Sequence, residues 1–393
     1  EDSASFAEEV EKRLDEQTKS LPAPQPFIVT GEHLGQECEW VQPTSVADVL
    51  QVMRSRSNVR LQVGNTERRV EKFFKWNHTY PMSLVSLSQV AEMQGLDWSE
   101  DKVRIGASLP LQDIFHAFEE KIKLLGESPS VQVLQAYCAI LRWFAGHQIR
   151  NVAALGGNIA TASPISDLNP CHIAANATLE VASLSSEGVV TTKMMPMGDP
   201  TAPFFTGYRK IALPAKDVIV ALHLPLTKAD GSEFYQAFKQ ARRRDDDLAI
   251  VNAAQRVQLK AGVVTDACFA FGGMAPFSKA CPTLATWWSG KEWSYSNFQS
   301  SLPILAEDLP LPDGAPGGMC EYRRCLARSF YFKFWASVAY KLGGESPPKP
   351  LMERDMTAIL NHTTAPSFEK PPALGLQHYA RDQTTPLHHY ARD

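Results

Sequence analysis

Hydrophobic positions along the chain recur with two periods, and the alternation between them predicts the elements. Thr44 or Ser45 suits a helix cap, and Val46, Val49, Leu50 and Met53 follow at helical spacing. Short β-rich runs at Val59–Val63, Met82–Leu87 and Val103–Ala107 predict strands, so this first part reads as a small α/β layer. Leu111–Ile122 predicts a helix. Val131–Gly146 predicts another, with Val133, Leu134, Tyr137, Ile140, Leu141 and Phe144 on one face and Gly146 as the stop. Asn151–Pro170 has no period and reads as a long irregular stretch. Strands are expected at Leu179–Ala182, Val189–Lys193 and Val218–Leu224. The last part reads as strand (Glu233–Lys239), charged loop (Arg242–Asp247), helix (Leu248–Val257), strand (Val263–Phe271), helix (Lys279–Trp288) and a long helix near Tyr322–Leu342. At the other end, residues 1–20 predict a short acidic helix. Pro22, Pro24 and Pro26 predict a stiff linker, with ordered structure from about Glu39–Pro43.

Composition narrows the class. The 393 residues are 44% hydrophobic and 21% charged, as expected of a soluble globular chain. At roughly 100–200 residues per domain, that length predicts two or three domains. A net charge of −4 argues against a nucleic-acid partner. No apolar run reaches the roughly 18 residues needed to cross a membrane; the longest, Val218–Leu226, is interrupted by His223. The chain starts at Glu1 without a Met or a secretory leader and is read as a piece of a longer protein. Its seven cysteines are widely spaced with no C-x-x-C. That excludes a disulfide framework, a zinc ribbon or a clustered iron–sulfur ligand set. The expectation is a cytoplasmic chain that works without a metal of its own.

Two segments carry candidate chemistry. In Leu61-Gln62-Val63-Gly64-Asn65-Thr66-Glu67 a strand runs into a glycine turn whose consecutive N–H groups can hold phosphate oxygens; an ordinary strand-to-helix turn has the same pattern. In Leu155–Pro170, Gly156 and Gly157 allow a ligand to approach the backbone. Asn158, Thr161, Ser163 and Ser166 supply hydrogen-bonding side chains. Asp167 can accept from a ribityl or ribose hydroxyl, cap a helix starting there, or do both. The repeat His378–Asp382 and His389–Asp393 reads as a low-complexity tail.

With these segments stand Leu141–Gly146 (LRWFAG), Ala237–Asp247 (AFKQARRRDDD), Phe271–Met274 (FGGM) and Ala315–Met319 with Arg323 and Arg324. Together and in this order they resemble the FAD-binding, PCMH-type middle domain of the molybdenum hydroxylases, in its xanthine dehydrogenase branch. The resemblance implies an α+β architecture: a two-subdomain PCMH-type FAD-binding fold followed by a C-terminal antiparallel-sheet-plus-helices domain. The implied division is an N-terminal linker at 1–38, the FAD-binding unit at 39–226, a CO dehydrogenase flavoprotein-like unit at 227–345 and a tail at 346–393.

The resemblance also assigns FAD contacts. They are Leu61, Gln62, Val63, Gly64, Asn65, Thr66, Glu67 and Arg68 in the turn, and Ala154, Leu155, Gly156, Gly157 and Asn158 in the loop. Thr161 and Ser166 join them as hydrogen-bonding groups. Phe144, Ile219, Asp167 and Lys239 complete the set. Phe144 and Ile219 can sandwich a flat ring or simply pack in the core, and Lys239 can face the flavin or be a solvated surface lysine. Arg142, Trp143 and Arg244 match a cation–π cluster, and Tyr208 lies on the implied nicotinamide side. Ala154 stands where relatives often carry Ser, and His147 replaces a usual Lys. The implied activity is electron transfer from iron–sulfur clusters through FAD to NAD+, with no catalytic acid–base pair in this chain. Iron–sulfur and molybdenum domains, on the same polypeptide or on partner subunits, and a homodimer in the full-length form are the implied partners. An oxygen-reducing flavin domain, or an FAD module without its own turnover, are the alternatives.

Overall fold

The structure is a computed structural model that describes residues 23–33, 36–67, 83–242 and 247–343. Strands β1 (Phe27–His33) and β2 (Gln36–Gln42) form an antiparallel hairpin. Helix α1 (Val46–Ser55) starts at Ser45, whose hydroxyl accepts the Asp48 N–H at 3.1 Å, and buries Val46, Val49, Leu50 and Met53 as its spacing predicts. Next come β3 (Val59–Gln62) and β4 (Ser83–Ser86). They close a four-stranded sheet in the order β1-β2-β4-β3, with β4 parallel to both β2 and β3.

A second sheet starts with β5 (Leu96–Trp98) and β6 (Lys102–Gly106). Helices α2 (Leu111–Leu125) and α3 (Gln132–Arg142) follow, joined where the rings of Phe118 and Tyr137 meet edge to face at 5.9 Å. Three short helices come next: α4 (His147–Arg150), α5 (Leu155–Thr161) and α6 (Asn169–Ala174). The sheet is completed by β7 (Thr178–Leu184), β8 (Val190–Pro196) and, after the small ribbon β9 (Phe205–Gly207) and β10 (Lys210–Ile211), β11 (Val218–Pro225). Its order is β5-β6-β11-β7-β8, antiparallel throughout. On the β6 side the Val220 carbonyl accepts the Ala107 N–H at 2.9 Å, extending that ladder by one residue toward the cleft, while the pairing with β7 shifts register between Ile219 and Ala221.

The C-terminal part is an antiparallel meander of β12 (Glu233–Ala241), β13 (Ala249–Lys260), β14 (Val263–Gly272) and β15 (Lys279–Ala280). It carries α7 (Pro282–Trp288), α8 (Tyr295–Asp308) and α9 (Cys320–Lys341). This sheet is buried on both faces. Tyr235, Ala237, Ala254 and Ala270 join the core shared by the first two sheets. Phe238, Val251, Ala253, Phe269 and Phe271 join an aromatic core under α9.

Several expectations need correction. Ordered pairing begins at Phe27 rather than near Glu39, because the β-branched and aromatic run Phe27–Val29 zips onto β2. The helix expected to run to Gly146 stops at Arg142. Arg150 donates to the carbonyls of Phe144 (3.0 Å) and Ala145 (3.1 Å), holding a turn in which Ala145 is left-handed and Gly146 caps α4 instead. The stretch read as irregular from Asn151 contains α5 and the start of α6, because Leu155 and Ile159 lie one turn apart and both reach the core. Leu248–Val257 is not a helix but most of β13. With apolar groups needed on both faces, the strand loses the two-residue alternation that marks a half-buried one. The helix expected from Lys279 begins only at Pro282, where Pro suits the first turn, and α8 was not anticipated. The expected N-terminal helix and the C-terminal repeat lie outside the described residues. Among the described residues no helix is long and apolar enough to cross a membrane.

Candidate functional site: a cleft between the glycine turn and the α5 loop

The end of β3 builds one wall. Gln62 gives its carbonyl to the Leu87 N–H at 2.9 Å, and the chain then turns away through Val63–Glu67 with Asn65 left-handed, at φ 59°. Among the described residues, the N–H groups of Val63, Gly64, Asn65, Thr66 and Glu67 meet no protein acceptor. A run of such donors around a left-handed residue is a concave anion binder. Gly64 is required by its own surroundings: a Cβ there would stand 1.6 Å from the Val152 carbonyl oxygen. Its bareness lets the turn lie against the opposite loop. Arg209 donates to Glu67 Oε1 at 2.6 Å and holds the far end of the turn.

The opposite wall is α5 with the segments on either side. The Leu155 N–H reaches the Leu109 carbonyl (3.2 Å) and the Gly156 N–H the Ala107 carbonyl (2.7 Å), which docks the start of α5 on the second sheet. Gly156 allows this contact, since a Cβ would lie 2.9 Å from Ala107. Gly157 is different. Nothing lies within 4 Å of where its Cβ would stand, and its N–H has no acceptor among the described residues. Ser166 Oγ donates to Asn158 Oδ1 at 2.9 Å, closing the loop after α5 on itself.

Between the walls is a cleft of about 680 Å³, within the usual range for small-molecule sites of about 300–1,000 Å³. It brings together Leu61, Gln62, Val63, Gly64, Asn65, Thr66, Glu67, Phe144, Ala154, Gly157, Asn158, Thr161, Ser166 and Asp167. Four expected residues stand behind the wall. Leu155 and Ile219 are buried in the core, where Ile219 packs as its plain reading has it, and Gly156 seats α5. Lys239 is neither solvated nor open to the cleft: its side chain is 5% exposed, and its ammonium donates to Asp167 Oδ2 (2.6 Å) and the Trp143 carbonyl (2.7 Å). Asp167 therefore caps no helix; the residue before α6 is Leu168, and no side chain caps it. Burial pushes the Asp167 carboxyl up to about 6 against the downward pull of Lys239.

Arg68 and Arg244 lie outside the described residues. Arg142 sits 6.0 Å from the Phe115 ring and 3.4 Å from Glu119, while Trp143 and Tyr208 are exposed. Sequence reasoning missed Arg60, Ile149, Arg209, Leu248 and Ala249, which also line the cleft. Arg209, left-handed at φ 53°, follows Tyr208 and carried no pattern that could have flagged it. Among the described residues no three metal-ligating side chains stand together.

The residues present fit FAD. Unpaired turn donors suit a pyrophosphate, the bare Gly157 backbone leaves room beside it, and a buried carboxylate suits a hydroxyl-bearing chain. Residues 36–227 match the FAD binding domain in molybdopterin dehydrogenase, and residues 236–338 the CO dehydrogenase flavoprotein C-terminal domain. Among curated relatives, xanthine dehydrogenase of Oryza sativa subsp. japonica is 36% identical over 86% of this chain and 24% of its own length. Nicotinate hydroxylase of Emericella nidulans is 40% identical over 79% of this chain and 23% of its own. The chain thus spans about a quarter of these relatives. The same fold occurs in carbon monoxide dehydrogenase from Hydrogenophaga pseudoflava, at TM-score 0.61 and 21% identity over 74% of this chain and 93% of that one. The first match covers both walls of the cleft and the second the two-faced sheet behind them, and the chain belongs to the family of FAD-binding domains of the molybdenum hydroxylases.

Proposed function

We propose that this chain is the FAD-binding electron-transfer part of a xanthine dehydrogenase-like molybdenum hydroxylase, passing electrons from iron–sulfur clusters through FAD to NAD+. The observation that carries the reading is the row of five N–H groups at Val63–Glu67, without an acceptor among the described residues, in one cleft with the buried Asp167 carboxylate that Lys239 holds from behind the wall. When bound, the flavin supplies the electron exchange that none of these side chains can perform.

The chain's own part is placement. The turn donors hold the pyrophosphate, Asp167 accepts a hydrogen bond from a ribityl or ribose hydroxyl, and Phe144 lies against the ring. Ala154, Asn158, Thr161 and Ser166 line the opposite side, with Leu155, Gly156, Ile219 and Lys239 supporting the wall. Tyr208, exposed, suits the approach of a nicotinamide. The units 39–226 and 227–345 belong to the same reading and are supported by the two family matches. The same reading includes as partners iron–sulfur and molybdenum domains, on this polypeptide or on partner subunits, and a homodimer in the full-length form. We place the protein in the cytoplasm, where its free thiols stay reduced. Xanthine dehydrogenases among the relatives favour a purine at the molybdenum site, and nicotinate hydroxylase names the competing substrate class.

Reconstitution with FAD and anaerobic addition of NADH test the reading. A yellow protein bleached by NADH and recoloured by NAD+ is expected. A colourless protein overturns the FAD assignment. A bound flavin untouched by NADH but oxidised by oxygen after chemical reduction overturns NAD+ as the acceptor.

A further inference from the structure

Two motifs remain without a role in the cleft as described: Phe271–Met274 and the Ala315–Met319 loop with Arg323. Both lie in the C-terminal part, yet they are joined to the cleft by a short chain of hydrogen bonds. Asn252 on β13 is fully buried, and its Nδ2 donates to the Ser166 carbonyl at 2.8 Å. Its register partner on β14 is Gly272, where a Cβ would lie 2.1 Å from Asn252 Oδ1 and 3.2 Å from the Pro164 carbonyl. The next N–H, of Gly273, donates to that Pro164 carbonyl at 2.8 Å. Gly273 is left-handed at φ 78°, and its own carbonyl takes Arg323 Nη1 at 2.8 Å. Arg323 Nε in turn holds the Gly318 carbonyl at 2.9 Å.

We propose that Asn252 and the Gly272–Gly273 turn, braced by Arg323, form a positioning seam by which the C-terminal sheet sets the place of Ser163–Asp167 in the cleft. The inference rests on the FAD reading above and adds positioning residues to that site. Asn252 is a costly residue for its place: among the described residues its Oδ1 has no partner, and an unpaired buried carbonyl is unfavourable. An apolar side chain would avoid that cost but would leave the Ser166 carbonyl without a donor. The neighbouring Asn252 amide also pulls the Asp167 carboxyl down, favouring its charged form against burial. Among the described residues, the other groups facing that carboxylate are Lys239, Asp247 and the buried Cys171 thiol. The seam thus sets both the position and the charge of the group that faces a cofactor hydroxyl.

The test uses the full chain with Asn252→Leu, Gly272→Ala and the control Ser301→Ala. The control breaks the buried Ser301–Tyr331 hydrogen bond, 2.6 Å, in the same C-terminal core but away from the seam. In the cofactor-free protein, amides of residues 163–168 should exchange faster in Asn252→Leu and Gly272→Ala and at the unaltered rate in Ser301→Ala. FAD affinity, read by flavin fluorescence, should fall about tenfold or more in the first two and stay unchanged in the control. The pH midpoint of FAD binding should rise in Asn252→Leu, a change that general loosening does not produce. Unaltered FAD affinity in both seam variants, or an equal loss in Ser301→Ala, overturns the seam. If the unsubstituted chain takes no FAD, the proposed function falls, and the exchange measurement alone still decides whether the seam fixes the loop. If Asn252→Leu does not fold, Gly272→Ala carries both readouts.

Discussion

The cleft wall and the aromatic core under α9 lie on opposite faces of one sheet and are built on opposite rules. Under α9, Trp288, Phe298, Tyr331, Phe334 and Trp335 fill space with rings, and their few polar atoms mostly find partners, as Trp288 Nε1 does on the Tyr331 hydroxyl at 2.6 Å. In the cleft wall, glycines remove side chains, donors are left unpaired, and an ion pair is buried. The first region gains stability from burial; the second gives some up for a shaped, polar surface. The contrast teaches that a strained wall needs a rigid backing, and the two-faced sheet provides it. Phe334→Ala tests the backing most strongly. Emptying a fully buried ring position should cost about 3–5 kcal/mol, read as a lower urea midpoint. A cost below about 1 kcal/mol would mean that the core is not the anchor.

The next effect belongs to the wall. Lys239→Met leaves Asp167 buried without its cation, and breaking such a pair costs about 3 kcal/mol or more at pH 8. The sign follows from the carboxyl. Already raised by burial, it rises further without Lys239, so the folded state holds its proton above the unfolded value. Stability is then greatest at low pH and falls as pH rises through the folded pKa. Denaturation midpoints at pH 5 and pH 8 should diverge in the variant more than in the parent. Asp167→Asn in the same chain should remove most of the divergence. A flat pH response in Lys239→Met would show that the pair is not coupled as the 2.6 Å contact implies.

A third effect separates burial from charge pairing. His172 is fully buried with Nδ1 on the Tyr137 hydroxyl at 2.8 Å, and burial pushes its pKa down to about 3 from the ordinary 6.5. The folded state therefore binds fewer protons than the unfolded one. Its contribution is present in full above pH 6.5 and is lost as pH falls toward 3, amounting to about 2 kcal/mol by pH 5. His172→Gln keeps an acceptor near Tyr137 but cannot titrate in this range. Its stability between pH 7 and pH 5 should change less than the parent's by that amount; equal slopes would rule the buried histidine out as a source of acid sensitivity.

Legibility in the sequence follows the same division. The glycine turn at Leu61–Glu67, the glycine loop after Ala154 and helix α1 rest on local signals: spacing, caps and residues without side chains. The structure brings the turn and the loop to one cleft. What was missed is non-local. The Asp167–Lys239 pair spans 72 positions, so no local signal showed that the carboxylate, read as a hydroxyl acceptor or a cap, and the lysine, read as facing the flavin or solvent, form a buried ion pair. Strand β13 was read as a helix because two cores, one on each face, ask for apolar groups at nearly every position. Arg209 reached the cleft through a left-handed backbone that residue type alone does not announce. Fold class survived these errors because it depends on the sum of elements, whereas the back of the site depends on single long-range contacts.

The smallest predicted effect makes the finest cut between the two rules. Gly64 and Gly157 both line the cleft, but for different reasons. Gly64 is bare because the Val152 carbonyl occupies the place of its Cβ, whereas Gly157 has open space there. Within α5, alanine at 157 should favour the helix by up to about 1 kcal/mol. The same methyl would stand in the cleft, between α5 and whatever the turn donors hold. Gly157→Ala should therefore leave the urea midpoint unchanged or slightly higher while FAD binds several-fold more weakly. A residue kept only for folding would show the reverse order, with stability lost and affinity kept. If the variant binds FAD as the parent does, the cofactor does not pass over Gly157, and the loop serves the cleft through Asn158, Ser166 and Asp167 alone.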